Sequence, residues 1–265
     1  MRIALGVEYD GSGFRGWQSQ ADGVTVQDTL EGALTQIAAS PVRVQASGRT
    51  DTGVHATVQV VHFDTDTLRP DSAWVRGTNA LLPAGVAVRW AALVPDDFNA
   101  RFSARARSYR YVLYNDAVRP ALAASLVGWF HRPLDEGLMR DAASRLIGEH
   151  DFSAFRSSEC QARSPVRTLR ELVVTRRADW ITLDLTANAF LHHMVRNIAG
   201  ALIEVGCGRR DPAWLDELLA QRDRRLSAPT FSAAGLYLVG VDYDAHWGLP
   251  AALQHRRLPP VGPPD

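Results

Sequence analysis

The 265-residue sequence contains no lysine, so all 29 of its basic side chains are arginines. Twenty-nine acidic side chains balance them, and the formal net charge at pH 7 is zero. Genomic base composition is the ordinary cause of such a bias. Whatever its origin, the bias leaves only planar, permanently charged guanidinium groups, which suit phosphate contacts and stacking on nucleic-acid bases.

Cysteines and long apolar runs are also scarce. Cys160 and Cys207 lie far apart and have no partners at metal-ligand spacing, so they indicate neither a disulfide framework nor a zinc site. No run approaches the roughly 18 apolar residues of a membrane helix. The first residues, MRIALGVEYDGSG, alternate like a strand and lack the pattern of a signal peptide. We therefore expect a protein of the reducing cytoplasm.

Hydrophobic periodicity predicts an α+β fold in two halves. The first half, residues 1–104, has the order β-α-β-β-α-β of a ferredoxin-like unit. Its first helix should begin at Val26, because Thr25 and Asp28 resemble a capping box. The predicted elements of this half are strands at 2–9, 42–47, 57–64 and 86–94 and helices at 26–39 and 71–82.

The second half, residues 105–245, repeats this pattern less regularly. Its predicted elements are strands at 106–114, 168–176, 180–186 and 236–242 and helices at 135–147, 190–205 and 212–221. We expect the two halves to form mainly antiparallel sheets around a central cleft. The last residues, 246–265, are typical of a proline-rich tail.

The loop Ser47–His55, SGRTDTGVH, is the most distinctive motif. It places Asp51 between two glycines and two threonines, two residues after Arg49. A carboxylate held beside a guanidinium stays ionised and can act as a nucleophile or a base. An Asx turn with a surface ion pair would show the same pattern. The residues alone leave both interpretations open.

The segment Asn188–Asn197, NAFLHHMVRN, is predicted to lie on an apolar helix. His192 and Arg196 are four residues apart and would share one face. Histidines in such a helix are more often core or capping groups than metal ligands, and no HExxH motif is present. A buried Arg196 would need a carboxylate partner, for which Asp51 is a candidate.

Residues 98–115 carry four arginines and no acid. In a strand, the alternating side chains would combine phosphate donors with stacking surfaces on one face, a pattern that suits nucleic acid. These side chains are Arg105, Arg107, Tyr109 and Tyr111. An edge strand solvated by its arginines is the ordinary alternative.

Two other functional classes compete with RNA modification on these residues. A nucleoside or glycoside hydrolase would need a second acid, for which Glu8 and Asp10 are the candidates. A non-catalytic RNA-binding module would need the arginine-rich strand but not Asp51. The glycines at 11–13 and 206–208 lack phosphate-loop and dinucleotide spacing, and no GxSxG motif is present.

Five sequence blocks, in this order, resemble the tRNA pseudouridine synthase A family. They are YDGSGFRGWQSQ with TVQDTLEGAL at 9–34, GRTDTGVHA at 48–56, FNARFSARARSYRYVLYN at 98–115, NAFLHHMVRNIAGALIEVG at 188–206 and GLYLVGVDY at 235–243. The segment APTFSAAG at 228–235 departs from the proline-containing pattern of many members. The tail beyond about residue 245 has no counterpart.

The resemblance implies the pseudouridine synthase fold and the conversion of uridine to pseudouridine at positions 38, 39 and 40 of tRNA. It further implies base flipping in the anticodon arm by a homodimer, with no metal or other cofactor. In this interpretation Asp51 matches the family's catalytic aspartate, and Tyr109 matches its active-site tyrosine. Arg196 matches the arginine that pairs with the aspartate, Arg49 the residue that helps to expose the base, and Leu236 a lining residue. We expect Arg105, Arg107 and Arg110 to contact RNA phosphates.

Overall fold

The computed structural model of the protein describes residues 1–250, so most of the predicted tail at 246–265 lies outside the described residues. Residue contacts divide the chain into two units. Within the described residues, the first contains Met1–Ala106 and residues 237–250, and the second contains Arg107–Leu236. The described residues include no helix that is long and apolar enough to cross a membrane.

The first unit has the ferredoxin-like strand order that its sequence predicts. Strand β1 (Arg2–Tyr9) pairs antiparallel with both β3 (His55–Asp64) and β4 (Val86–Val94). The short strand β2 (Gln45–Ala46) pairs antiparallel with β3, which gives the order β4-β1-β3-β2. Because β1 has a neighbour on each side, it supplies central core residues such as Leu5, which is fully buried.

Local sequence signals set the two helices of the first unit. Helix α1 (Val26–Ala38) begins where predicted, and the Thr25 hydroxyl accepts a hydrogen bond from the backbone N–H of Asp28 at 3.2 Å. The predicted second helix contains a π-helical turn, Ala73–Gly77, before α2 (Thr78–Leu81). Trp74 lies in this wider turn, where it is buried and packs against Phe63 with the ring centroids 5.3 Å apart.

Strand β10 (Leu236–Tyr243) returns to the first unit, although its sequence position had assigned it to the C-terminal half. It pairs in parallel with β3, where Tyr237 lies opposite His55. The Tyr237 and His55 rings stack with centroids 4.6 Å apart. At the other end of the strand, the Tyr243 hydroxyl donates to the Ala100 carbonyl at 2.6 Å. These contacts between distant segments have no signal in local periodicity.

The second unit is built on an antiparallel sheet with helices, so the predicted α+β class is confirmed. Its strands lie in the order β5 (Ala104–Asn115), β9 (Trp180–Ala187), β8 (Val166–Arg177) and β7 (Gly148–Asp151). A short strand, β6 (Gly128–Phe130), pairs in parallel with β5. The helices are α3 (Glu136–Ser144), α4 (Met194–Gly206) and α5 (Trp214–Gln221). Sequence periodicity missed β6 and β7, which are only three and four residues long.

Candidate active site

Asp51 lies half-buried in the loop between β2 and β3. Hydrogen bonds fix the loop around it: the backbone N–H of Trp17 donates to the Thr50 carbonyl at 3.0 Å, and that of Val54 donates to the Asp51 carbonyl at 3.1 Å. The hydroxyls of Tyr9 and Thr50 are hydrogen-bonded at 2.8 Å in the buried interior. A carboxylate on such a braced loop has a defined position, which catalysis requires.

The glycine-rich segment at residues 10–16 supports the Asp51 loop directly. A Cβ atom on Gly11 would lie 2.0 Å from the Val54 carbonyl oxygen. Gly16 has φ of +82°, and a Cβ atom there would lie 2.8 Å from the Thr50 carbonyl oxygen. Only glycine lets the two loops approach this closely. The sequence analysis compared Gly11 with nucleotide-binding motifs, and it did not predict that Gly11 and Gly16 pack against the Asp51 loop.

His55 and Asp10 complete the contact between the two loops. The backbone N–H of Gly11 donates to His55 Nδ1 at 3.0 Å, and the Asp10 carboxylate lies 3.1 Å from the same nitrogen. The two contacts need opposite protonation of Nδ1. His55 is 2% exposed, so these contacts are buried between the two loops.

Neither acid proposed for a hydrolase stands out as a proton donor. Burial raises the pKa of Asp10, but hydrogen bonds from Ser12 and the interactions with His55 together outweigh it and hold the pKa below its ordinary value. Asp10 therefore stays ionised and caps its own loop through the Ser12 N–H at 2.9 Å. Glu8 lies 3.4 Å from the Arg89 guanidinium.

Arg49 and Asp51 do not form the surface ion pair that the Asx-turn interpretation of the loop includes. Arg49 is exposed, and it forms no ion pair with any carboxylate within residues 1–250. Its neighbour Thr50 occupies the buried side of the loop through its bond to Tyr9, which leaves Arg49 on the solvent side. The guanidinium of Arg49 is consequently available to a ligand.

Three other candidate residues belong to the second unit. Tyr109 lies on β5 with 9% of its surface exposed, and the Phe190 ring meets it edge-on at 5.0 Å. Arg196 is half-buried in the first turn of α4, where its Nε donates to the Phe231 carbonyl at 2.9 Å. Leu236 is 5% exposed, and its backbone N–H donates to the Ala233 carbonyl at 2.9 Å. The pairing of Arg196 with Asp51 stays a prediction.

The prediction that His192 shares a helix face with Arg196 is wrong. Helix α4 begins only at Met194, because His193 adopts a left-handed conformation with φ of 64°. The backbone groups of His192 bond outside any helix, since its carbonyl accepts from Ser157 and its N–H donates to the Cys160 sulfur. The two histidine rings instead pack together before the helix, with centroids 4.0 Å apart.

Two of the three arginines expected to bind RNA are held by carboxylates. Arg105 donates twice to Asp244, at 2.8 and 2.6 Å, and Arg110 donates twice to Asp184, at 2.6 and 3.1 Å. Arg107 is half-buried and donates to the Asn188 carbonyl at 3.3 Å.

Tyr111, expected as a stacking surface for a base, is instead fully buried. Its hydroxyl donates to the Ser232 carbonyl at 2.8 Å, and burial raises its pKa far above the ordinary value. The strand is therefore buried on both faces at this point, which the alternation of its sequence does not indicate.

Comparison with known proteins decides the family. A family model described as tRNA pseudouridine synthase matches residues 6–103 and 142–244. The chain belongs to the tRNA pseudouridine synthase family. It is an isomerase that converts uridine of tRNA to pseudouridine, so the hydrolase and the non-catalytic binding module are both excluded.

Similar proteins cover nearly the whole chain. A tRNA pseudouridine synthase A of Aromatoleum aromaticum is 62% identical over 250 residues, which are 94% of this chain and 95% of that protein. A protein of the same name from Thiobacillus denitrificans is 59% identical, over 94% of this chain and 96% of its own length. Another, from Photobacterium profundum, is 54% identical, over 99% of this chain and 98% of its own length. A chain in the crystal structure of a Cbf5-Nop10-Gar1 complex aligns with a TM-score of 0.38 at 10% identity, over 89% of this chain and 48% of that one.

Proposed function

We propose that this pseudouridine synthase modifies positions 38, 39 and 40 in the anticodon arm of tRNA, with Asp51 as its catalytic residue. The observation that carries the proposal is the placement of Asp51. Its carboxylate is half-buried on a loop that is held by Trp17 and Tyr9 and packed against Gly11. The target uridine flips out of the RNA stack to reach it.

The reaction explains why one ionised carboxylate is enough. The N1–C1′ bond of uridine breaks, a C5–C1′ bond forms, C5 loses its proton and N1 gains one. Because product and substrate are isomers, the atoms balance without nucleotide, metal or other co-reactant. Asp51 serves by attack at C1′, by addition to C6 or by removal of the C2′ proton, each of which needs the carboxylate form.

The other candidate residues have supporting roles. Tyr109 stacks on the flipped uracil, and its hydroxyl accepts the C5 proton. Arg196 pairs with Asp51, while the exposed Arg49 holds the displaced nucleotide and Leu236 lines the pocket. We further propose that the enzyme acts as a homodimer in the cytoplasm.

Three anticodon-arm transcripts test the proposed positions. Each carries a single uridine at position 38, 39 or 40, with cytidine or guanosine replacing the other two where pairing requires it. We expect pseudouridine in each transcript and none in a fourth that lacks uridine at all three. Pseudouridine in the fourth transcript would place the reaction elsewhere in tRNA.

Substitutions of Tyr109 separate stacking from proton transfer. Tyr109→Phe keeps the ring and its contact with Phe190, so tRNA binding should be unchanged while tritium release from C5-labelled uridine becomes slow. Tyr109→Leu should also weaken tRNA binding by about 10- to 100-fold, because a base–aromatic stack contributes about 1 to 3 kcal/mol. If Tyr109→Phe released tritium at the wild-type rate, the hydroxyl of Tyr109 would have no role in proton transfer, and its ring would serve only for stacking.

Salt dependence tests the arginines of β5. Arg107→Ala should lower the slope of log affinity against log salt concentration by about 0.7 to 0.9, the value for one lost phosphate contact. Arg105→Ala and Arg110→Ala should lower it less, because each guanidinium must exchange a bound carboxylate for the phosphate. If all three variants kept the wild-type slope, the RNA would follow another surface.

A further inference from the structure

A basic groove lies in the second unit, apart from the residues assigned above. It has a volume of about 450 Å³ and is lined by three arginines, three serines and one aspartate. The arginines are Arg156, Arg222 and Arg224. The aspartate, Asp223, is already paired with Arg225 at 2.6 Å, which with other bonds from Arg225 lowers its pKa to about 2. The groove thus concentrates positive charge in a chain whose net charge is zero.

Arg224 is fixed in the groove by neutral groups. Its Nη2 donates to Asn197 Oδ1 and to Thr230 Oγ1, each at 3.1 Å. Asn197 is itself fully buried and donates to the Phe155 carbonyl at 2.7 Å. Burial lowers the pKa of Arg224, but the guanidinium stays protonated at neutral pH. The protein therefore orients this charge without neutralising it.

Arg156 is held in the same manner. Its Nη2 donates to the Cys160 and Ala162 carbonyls at 2.5 and 3.0 Å. Within the described residues, neither Arg156 nor Arg224 has a carboxylate at ion-pair distance. Arg222, at the end of α5, is 65% exposed and lies 3.5 Å from Asp151. Two oriented and unneutralised guanidinium groups with a third at the rim make a site for an oxyanion.

We propose that this groove binds a phosphodiester of the tRNA backbone. Guanidinium forks match the two non-bridging oxygens of a phosphate, and serine hydroxyls add further donors. The groove is also attached to helix α4, because Asn197, which orients Arg224, follows Arg196 directly in that helix. The inference rests on tRNA as the substrate, but not on which uridine is modified.

Salt-dependent tRNA binding by the full-length protein tests the groove. The variants are Arg156→Gln, Arg222→Gln and the double substitution, and Arg210→Gln is the matched control. Arg210 lies in the same unit, outside the groove, where its guanidinium stacks on Trp214 at 5.0 Å. We expect each single variant to lower the salt slope by about 0.7 to 0.9 and the double variant by about 1.4 to 1.8, while Arg210→Gln leaves it unchanged.

Phosphate ethylation identifies the ligand. Ethylation of one tRNA phosphate should interfere with binding to wild-type protein but not to the double variant, while interference at other phosphates persists in both. Arg222→Gln keeps the test independent of folding, since Arg222 is mostly exposed. An unchanged interference pattern and slope in properly folded variants would overturn the proposal. The proposal would also be overturned if the groove bound inorganic phosphate or an acidic peptide while the groove variants bound tRNA as the wild type does.

The two proposals fail separately. If pseudouridine formed outside positions 38 to 40, the salt slopes and the ethylation pattern would still show whether the groove binds a phosphodiester of tRNA. If the slopes did not change, the groove proposal would be contradicted, and the proposal for positions 38 to 40 would still stand.

Discussion

Asp51→Asn is expected to lower turnover of tRNA uridine by at least about a hundredfold, within the 10²- to 10⁴-fold range of a lost acid–base group. The amide has nearly the same shape as the carboxylate, so the braced loop around it should keep its hydrogen bonds. Contacts of basic side chains with backbone phosphates generally supply a large share of the affinity for nucleic acid, so the dissociation constant for tRNA should change by less than about tenfold. Single-turnover pseudouridine formation and filter binding measure the two effects.

Asp66→Asn is the matched control for this substitution. Asp66 is exposed after the end of β3 in the same unit, so its substitution removes the same charge away from the site. Turnover by Asp66→Asn should equal that of the wild type. More than about a hundredth of wild-type turnover in Asp51→Asn would contradict the catalytic assignment.

The second large effect is expected for Gly11→Ala. A Cβ atom at this position would overlap the Val54 carbonyl oxygen, which belongs to the backbone and cannot rotate away. The Asp51 loop must then shift, and a displacement of about 1 Å can cost about a hundredfold in rate. We expect turnover to fall by about this factor and thermal stability to fall with it, since overpacking typically costs about 1 to 3 kcal/mol.

Gly13→Ala provides the comparison within the same segment. A Cβ atom on Gly13 meets no other atom within 4 Å, and its φ is not positive. Turnover and melting temperature should match the wild type. Equal activity of Gly11→Ala and Gly13→Ala in kinetics at saturating tRNA would show that contact with the glycine-rich segment does not position Asp51.

The fold follows from the sequence where neighbouring residues determine it. Thr25 and Asp28 specify the start of α1 because a cap needs only residues of one turn. The alternation of β1 and β4 gave their bounds for the same reason. The short strand β7 and the π-helical turn before α2 have too few residues to carry a periodic signal.

Contacts between distant segments account for most of the differences. The predicted helix at 190–205 begins only at Met194, because the left-handed backbone of His193 lets His192 bond to Ser157 and Cys160, more than 30 residues away. The burial of Tyr111 depends on Ser232, which no local pattern relates to it.

The candidate site was predictable in part. The residues of the Asp51 loop indicated a carboxylate suited to chemistry but left an ordinary turn open, and the family resemblance assigned the role. The support from Gly11 and Gly16 was not predictable, because glycine in a loop indicates conformational freedom without naming what packs against it. The exposure of Arg49 depends in turn on the bond between Thr50 and Tyr9.

Mapping of pseudouridine across complete tRNA, treated with purified wild-type protein or with Asp51→Asn, tests the central claim most directly. The starting tRNA should be transcribed without modification, so that every pseudouridine comes from the added enzyme. Wild-type protein should form pseudouridine at positions 38, 39 and 40, without added cofactor, and the Asp51→Asn variant should form less than about a hundredth as much in the same time. Pseudouridine at other positions alone, or equal formation by both proteins, would contradict the account.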